Sequence, residues 1–201
     1  MATKRNELHH PKRTLPLLPA ALHTRSMDYR RLWQAGGTYF FTVNLLRREG
    51  NDLLVRHIDR LRESVAWVRR RHPFIIHAWV VLPDHLHCII ELPSGDADFA
   101  VRWRLIKQRF SRGIPATESR SMTRVRRGER GVWQRRYWEH LVRDQADFDA
   151  HMNYVHINPL KHGLVSAVAD WPFSTFHACV AAARYPRDWG RGDMPLPTYE
   201  D

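Results

Sequence analysis

The stretch Val80–Pro93, VVLPDHLHCIIELP, decides how the rest of the chain is read. Two apolar runs meet at Pro83-Asp84, and His85 and His87 stand just past the join. So short a link between two such runs predicts a pair of antiparallel strands. Residues two apart in a strand share a face, so His85 and His87 project together while Leu86 and Cys88 face the other way. Side-by-side imidazoles suit a divalent transition metal. They equally suit a strand whose histidines are hydrogen-bonded to neighbours, and two imidazoles alone do not complete a site.

Outward from this hairpin, GGTYFFTVNLL (residues 36–46) predicts a strand over Tyr39–Leu46, after a glycine break. Asn51 or Asp52 caps a helix whose apolar stripe is Leu54, Ile58, Leu61, Val65 and Val68, punctuated by Pro73. DFAVRWRLIKQRFSRG (98–113) is a second amphipathic helix. Phe99, Trp103, Ile106 and Phe110 lie on one side of it, and Arg102, Lys107, Arg109 and Arg112 load the rest. A basic loop runs from about 113 to 130, GVWQRRYWEHLV (131–142) reads as another strand or extended segment, and a helix opened by Asp144 stops at Asn158-Pro159. The final thirty residues look irregular. The order strand, helix, strand, strand, helix, strand predicts an α+β fold, a ferredoxin-like antiparallel sheet with helices on one face. Residues 1–35 read as an arm, 36–180 as the folded domain and 181–201 as an irregular tail.

The chain has 201 residues, 43% of them hydrophobic, a net charge of +11 and a pI near 10.4. That is enough for one sizeable core, and a polyanionic partner is implied. From Arg102 to Arg143, thirteen Lys/Arg stand against Glu118, Glu129 and Glu139, and the dominance of arginine favours phosphate forks over a merely solvated surface. Cys88 and Cys179 are too far apart for a CxxC metal or redox motif, which points to a reducing compartment. No apolar run is long enough to span a membrane, so a cytoplasmic location is expected.

The last predicted helix carries two stripes. Phe148, Met152 and Val155 form an apolar one; Asp147, His151, Tyr154 and Asn158 form a polar one beside it, with His156 on the opposite flank. Tyrosine is a competent nucleophile on phosphorus, aided by a metal on the target phosphate. The competing reading is an amphipathic helix whose tyrosine packs at the rim of the core. His151 is either a helper for the phenol or a satisfied surface histidine.

YFFTVNLL, HAWVVLPDHLHCIIELP, RLIKQRFSR, GVWQRRYWEHLVRD and YVHINPLKHGLV, in this order, resemble the REP-associated tyrosine transposases. These are relatives of single-tyrosine insertion-sequence transposases in the HUH endonuclease superfamily. The resemblance runs from about Met27 to His177. It implies the HUH fold, His85 and His87 as the paired metal ligands, Asn158 as a third ligand, Mg²⁺ or Mn²⁺ as cofactor, and Tyr154 as nucleophile. It further implies nicking and rejoining of single-stranded DNA beside REP-like palindromic hairpins through a 5′-phosphotyrosine, by a monomer or a homodimer. Lys107, Arg109, Arg112, Arg124, Arg126, Arg127, Arg135, Arg136, Lys161 and His162 become the candidates for contacting DNA. Among the aromatics Trp103, Trp133, Tyr137 and Trp138, Trp133 is favoured for stacking on an unpaired base. Two rival readings are a hairpin-binding protein without catalysis and a nuclease that uses water. The latter needs carboxylates near the histidines, and only Asp84 and Glu91 are close in sequence.

Overall fold

The structure is a computed structural model describing residues 33–191. Most of the expected arm, and residues 192–201 of the expected tail, lie outside the described residues. Four strands form one antiparallel sheet: β1 (Thr38–Asn44), β2 (Ile75–Val81), β3 (His85–Glu91) and β4 (Trp138–Leu141), in the order β2-β3-β1-β4. Helices α1 (Leu53–Arg56) and α2 (Ile58–Arg71) join β1 to β2, and α3 (Phe99–Arg112) and α4 (Met122–Arg126) lie between β3 and β4. Helices α5 (Gln145–Lys161) and α6 (Phe176–Ala181) follow the last strand. The chain is α+β, with the ferredoxin-like order of elements that the sequence pattern predicts.

Strand alternation sorts the core into two clusters. Tyr39, Phe41 and Val43 of β1 and Leu86, Cys88 and Ile90 of β3 share one face. Against them pack Leu61 and Val68 of α2, and Phe99, Trp103, Ile106 and Phe110 of α3. The α3 residues are at most 2% exposed, and burying side chains of this size stabilises by about 1.5–3 kcal/mol each. The expectation of helices on one face holds for α2 and α3. Helix α5 adds a layer on the opposite face, where Phe40, Val80 and Ile89 meet Met152, Tyr154 and Val155. Sealing that face leaves His85 and His87 between sheet and helix.

Three local expectations are corrected, and a fourth, the strand or extended segment at 131–142, is narrowed. The helix after Asn51 is two, broken at His57; Asn51 Oδ1 still accepts from Leu53 N at 3.0 Å. The extended segment before residue 142 is a four-residue strand preceded by a single bridge from Trp133 to Leu45. Helix α5 runs through Pro159 to Lys161. Proline's fixed φ is helical and its missing N–H removes only one bond, tolerable in a last turn that Gly163 closes at φ 65°. The segment from Trp171 onward contains α6, and beyond it Tyr185 is buried and donates to Asn153 Oδ1 at 2.8 Å. No described helix is long and apolar enough to cross a membrane.

Candidate active site

Antiparallel register sets the floor of the site. Across β1 and β3, Thr42 stands opposite His87 and Asn44 opposite His85. Both imidazoles are nearly inaccessible, at 3% and 2% exposure. Their rings are 4.9 Å apart and almost perpendicular. Each is pinned from behind through Nδ1. His85 Nδ1 donates to Asp84 Oδ1 at 2.6 Å, and His87 Nδ1 lies 2.8 Å from Thr42 Oγ1. The carboxylate contact fixes the His85 tautomer that leaves Nε2 with its lone pair, and the Thr42 hydroxyl accommodates the same tautomer of His87. Asp84 is itself held by Arg48, whose Nε donates to Oδ2 at 2.6 Å. Burial works against the charge on Asp84, yet the hydrogen bonds from Arg48 and His85 keep its carboxyl below the ordinary range.

Burial is the largest cause lowering the pKa of His85, partly offset by Asp84. His87 is pushed well down by burial and by the neighbouring His85, His162, Lys161 and Arg48. Both rings therefore stay neutral, the form that ligates metals.

Helix α5 supplies the roof. The Tyr154 ring packs edge-on against His87 at 5.1 Å and against Phe40 at 5.7 Å. One turn on, the Asn158 amide nitrogen donates to the Tyr154 carbonyl at 3.3 Å. Asn158 Oδ1 and His87 Nε2 are buried without a hydrogen-bond partner, as is Asn44 Oδ1 on β1. Unpartnered buried acceptors cost about 1–3 kcal/mol each, and a cation is one group that would satisfy them. The donor set of two neutral imidazoles and one amide oxygen thus fits a divalent ion. It suits Mn²⁺ better than Mg²⁺, which prefers all-oxygen shells.

Because α5 continues past Pro159, it carries two more basic groups to the site. Lys161 Nζ is 5.0 Å from the centre of the Tyr154 ring, and the His162 ring is 5.1 Å from His85.

The remaining basic candidates divide. Lys107, Arg112, Arg124, Arg127, Trp133 and Arg135 line a cleft of about 840 Å³ between α3 and the 121–135 segment. Arg126 and Arg136 are exposed but outside that lining. Arg109 is elsewhere, with its guanidinium 4.9 Å above the Trp67 ring of α2. Lys107 Nζ donates to the Gln134 carbonyl at 3.0 Å. Arg104, counted in the charge of this stretch but absent from the DNA-contact candidates, also lines the cleft. Charge counting overlooked how Arg130 is used: Glu118 and the Ser111, Ile114 and Pro115 carbonyls hold it as a brace. Arg102, expected on the charged side of α3, is 1% exposed and bound to Asp96, Asp98 O and Pro73 O, so it ties loops together.

His140, Asp147 and His151 form a second group whose ligand atoms lie within 4.8 Å. Asp147 receives His140 Nε2 at 2.8 Å, His151 Nδ1 at 3.0 Å and the Arg143 N and Nε groups. Burial raises its pKa, but these bonds outweigh it and bring the carboxyl to about 2. The two imidazoles stack at 4.6 Å and 19°. These contacts clamp β4 to α5, and His151 is buried rather than on the surface.

Residues 46–158 match the family described as "Transposase IS200 like". The REP-associated tyrosine transposase of Escherichia coli K12 is 47% identical over 83% of this chain and 92% of its own length. A Haemophilus influenzae protein named for the same family is 41% identical over 81% of this chain and 93% of its own. A solved structure of the REP-associated tyrosine transposase bound to a REP hairpin superposes with a TM-score of 0.72 and 44% identity, covering 87% of this chain and 98% of that one. With the histidine pair, the tyrosine helix and the sheet order in place, the chain belongs to the IS200-like transposases and, within them, to the REP-associated tyrosine transposases.

Proposed function

We propose that the protein nicks and rejoins single-stranded DNA beside hairpins, with Tyr154 as the nucleophile. One observation carries the reading: His87 Nε2 and Asn158 Oδ1 are buried and unpartnered next to the Tyr154 ring. The hairpin enters from the family, since the related transposase was solved on one. His85, His87 and Asn158 are the residues that would hold a divalent ion. Such an ion supplies charge to a nonbridging phosphate oxygen, which favours attack at phosphorus.

The protein's own groups do the rest. The Tyr154 oxygen forms a bond to phosphorus as the phenolic proton leaves to solvent, and the bond to the 3′-oxygen breaks as that oxygen takes a proton from solvent. The products are a 5′-phosphotyrosine and a free 3′-hydroxyl. Attack by another 3′-hydroxyl reverses the step and joins strands, because the phosphodiester energy is kept in the covalent link. Lys161 places a cation over the phenol ring, beside the phosphate that Tyr154 would attack. A nuclease using water is less well supported, because Asp84 is engaged by Arg48 and His85 on the Nδ1 side, away from Nε2.

Incubation of a hairpin substrate labelled at its 3′ end, on the fragment that keeps the scissile phosphate, with protein and Mn²⁺ tests the reading. The expected result is a label that stays on the protein in SDS and vanishes with EDTA. Cleavage without such an adduct would transfer the chemistry to water.

Two further outcomes follow from the geometry. Asp84→Ala removes the anchor of His85 Nδ1 and should weaken Mn²⁺ binding about 10–100-fold in calorimetry, with hairpin affinity in EDTA unchanged. Unaltered Mn²⁺ affinity would mean that Asp84 does not orient a ligand. Replacing Arg112, Arg127 and Arg135 with Gln strips three cations from the cleft. The slope of log affinity against log salt should become shallower by roughly 2, at ~0.7 per single-strand phosphate contact. An unchanged slope places the DNA path elsewhere.

A further inference from the structure

Trp138 is among the large apolar side chains that the described surface leaves in water, at 47% exposure. Its setting is built. The indole lies parallel to the His140 ring, 5.8 Å away at 7°. His140 in turn lies parallel to His151 at 4.6 Å. Both imidazoles are fastened to the Asp147 carboxylate, whose side chain is 7% exposed. His151 rests on Phe40 at 4.7 Å, and Phe40 touches both His87 and Tyr154. The result is a stack of three parallel rings, open at one end on the indole and resting at the other on Phe40, which meets His151 at 50° and Tyr154 edge-on.

Register places the open end. Thr42 stands opposite His87 across one edge of β1 and opposite Trp138 across the other. Trp138 and His87 thus share a sheet face two strands apart, about 10 Å between backbones. Arg143 and Arg135 nearby in sequence are 72% and 70% exposed, which is cationic company for phosphates and poor company for an apolar protein partner. The other aromatics differ. Trp103 is 1% exposed, and the Trp133 indole nitrogen and Tyr137 hydroxyl are buried in the core.

We infer that the open face of Trp138 is a subsite for one unpaired nucleobase of the strand that leads to Tyr154, with the Asp147-clamped imidazoles holding the platform rigid. The inference rests on the proposed DNA chemistry but concerns binding. Stacking tolerates any base, so the subsite sets the path of the strand rather than its sequence.

The test uses Tyr154→Phe protein, so that no cleavage intrudes, and a set of hairpin oligonucleotides with an abasic site at each unpaired position in turn. Adding Trp138→Ala should weaken binding of the intact hairpin about ten-fold, and Trp138→Phe in its place should recover most of that loss. One abasic position should weaken binding to the protein that keeps Trp138 by a similar factor and cost the Trp138→Ala protein nothing further. Equal affinity with and without the Trp138→Ala change, or additive losses at every position, would overturn the subsite. So would conversion of a dimer to a monomer by Trp138→Ala with abasic sensitivity unchanged, which would give the indole to a second copy of the chain. Loss of the subsite would leave the Tyr154 adduct intact, whereas a protein that binds no hairpin would remove both proposals.

Discussion

Tyr154→Phe is expected to bind a hairpin substrate and Mn²⁺ as the unsubstituted protein does, and to yield neither a nicked strand nor a covalent protein–DNA adduct. The ring is kept, and with it the packing on His87 at 5.1 Å and Phe40 at 5.7 Å. Only the hydroxyl is deleted, a change worth about 1 kcal/mol of stability. Loss of a sole nucleophile costs on the order of 10⁴-fold or more in rate, so cleavage should fall below detection. Thermal melting checks the fold, a gel shift checks binding, and SDS gels of labelled substrate check chemistry. Tyr137→Phe is the control and should still form the adduct. Normal nicking by the Tyr154→Phe protein would remove the assignment.

His85→Ala and His87→Ala have the second-largest expected effect. Each removes an Nε2 ligand while sparing the basic cleft, which lies against α3 on the other side of the sheet from the histidines. Charge stabilisation by a metal is worth several kcal/mol in the transition state, so the nicking rate should fall about a thousand-fold or more. Hairpin affinity without metal should stay within about two-fold, because phosphate gripping and metal ligation use different side chains. The His87 variant also discards an unpartnered buried nitrogen, which offsets part of the cavity that the missing ring leaves. Mn²⁺-dependent cleavage at the original rate by either variant would separate the histidines from the chemistry.

The parts of the fold legible in the sequence were those with a clean period. Period two put His85 and His87 on one face and Leu86 and Cys88 on the other, and the two core clusters divide the strand that way. Spacings of three and four found the buried stripe of α3. Helix α5 defeated the same method. Its first turns expose Gln145, Ala146 and Asp149, but His151, Met152 and Tyr154 to Pro159 are all buried, so around Tyr154 there is almost no wet face for a period to reveal. The stripe read as polar faces the sheet, and His156, placed on an outer flank, is covered by Phe176 and Tyr185. Burial lowers the His156 pKa to about 4, an effect visible only once α6 is in place. Arg102 was hidden for a similar reason: its partners Asp96 and Pro73 are distributed over two loops. The outer contacts of the histidines had a partial signal. Asp84 is adjacent to His85, whereas Thr42 needs the β1–β3 register before it meets His87.

The most direct measurement is the site of the covalent link. The protein is trapped on a hairpin in Mn²⁺, the DNA is digested to a terminal nucleotide, and tryptic peptides are weighed. Cleavage after Arg143 and Lys161 releases residues 144–161, in which Tyr154 is the sole tyrosine. That peptide should carry the mass of one 5′-nucleotide, with the fragment ions placing it on Tyr154. A nucleotide on the peptide that contains Tyr137, or cleaved DNA with every peptide unmodified, would contradict attack by Tyr154.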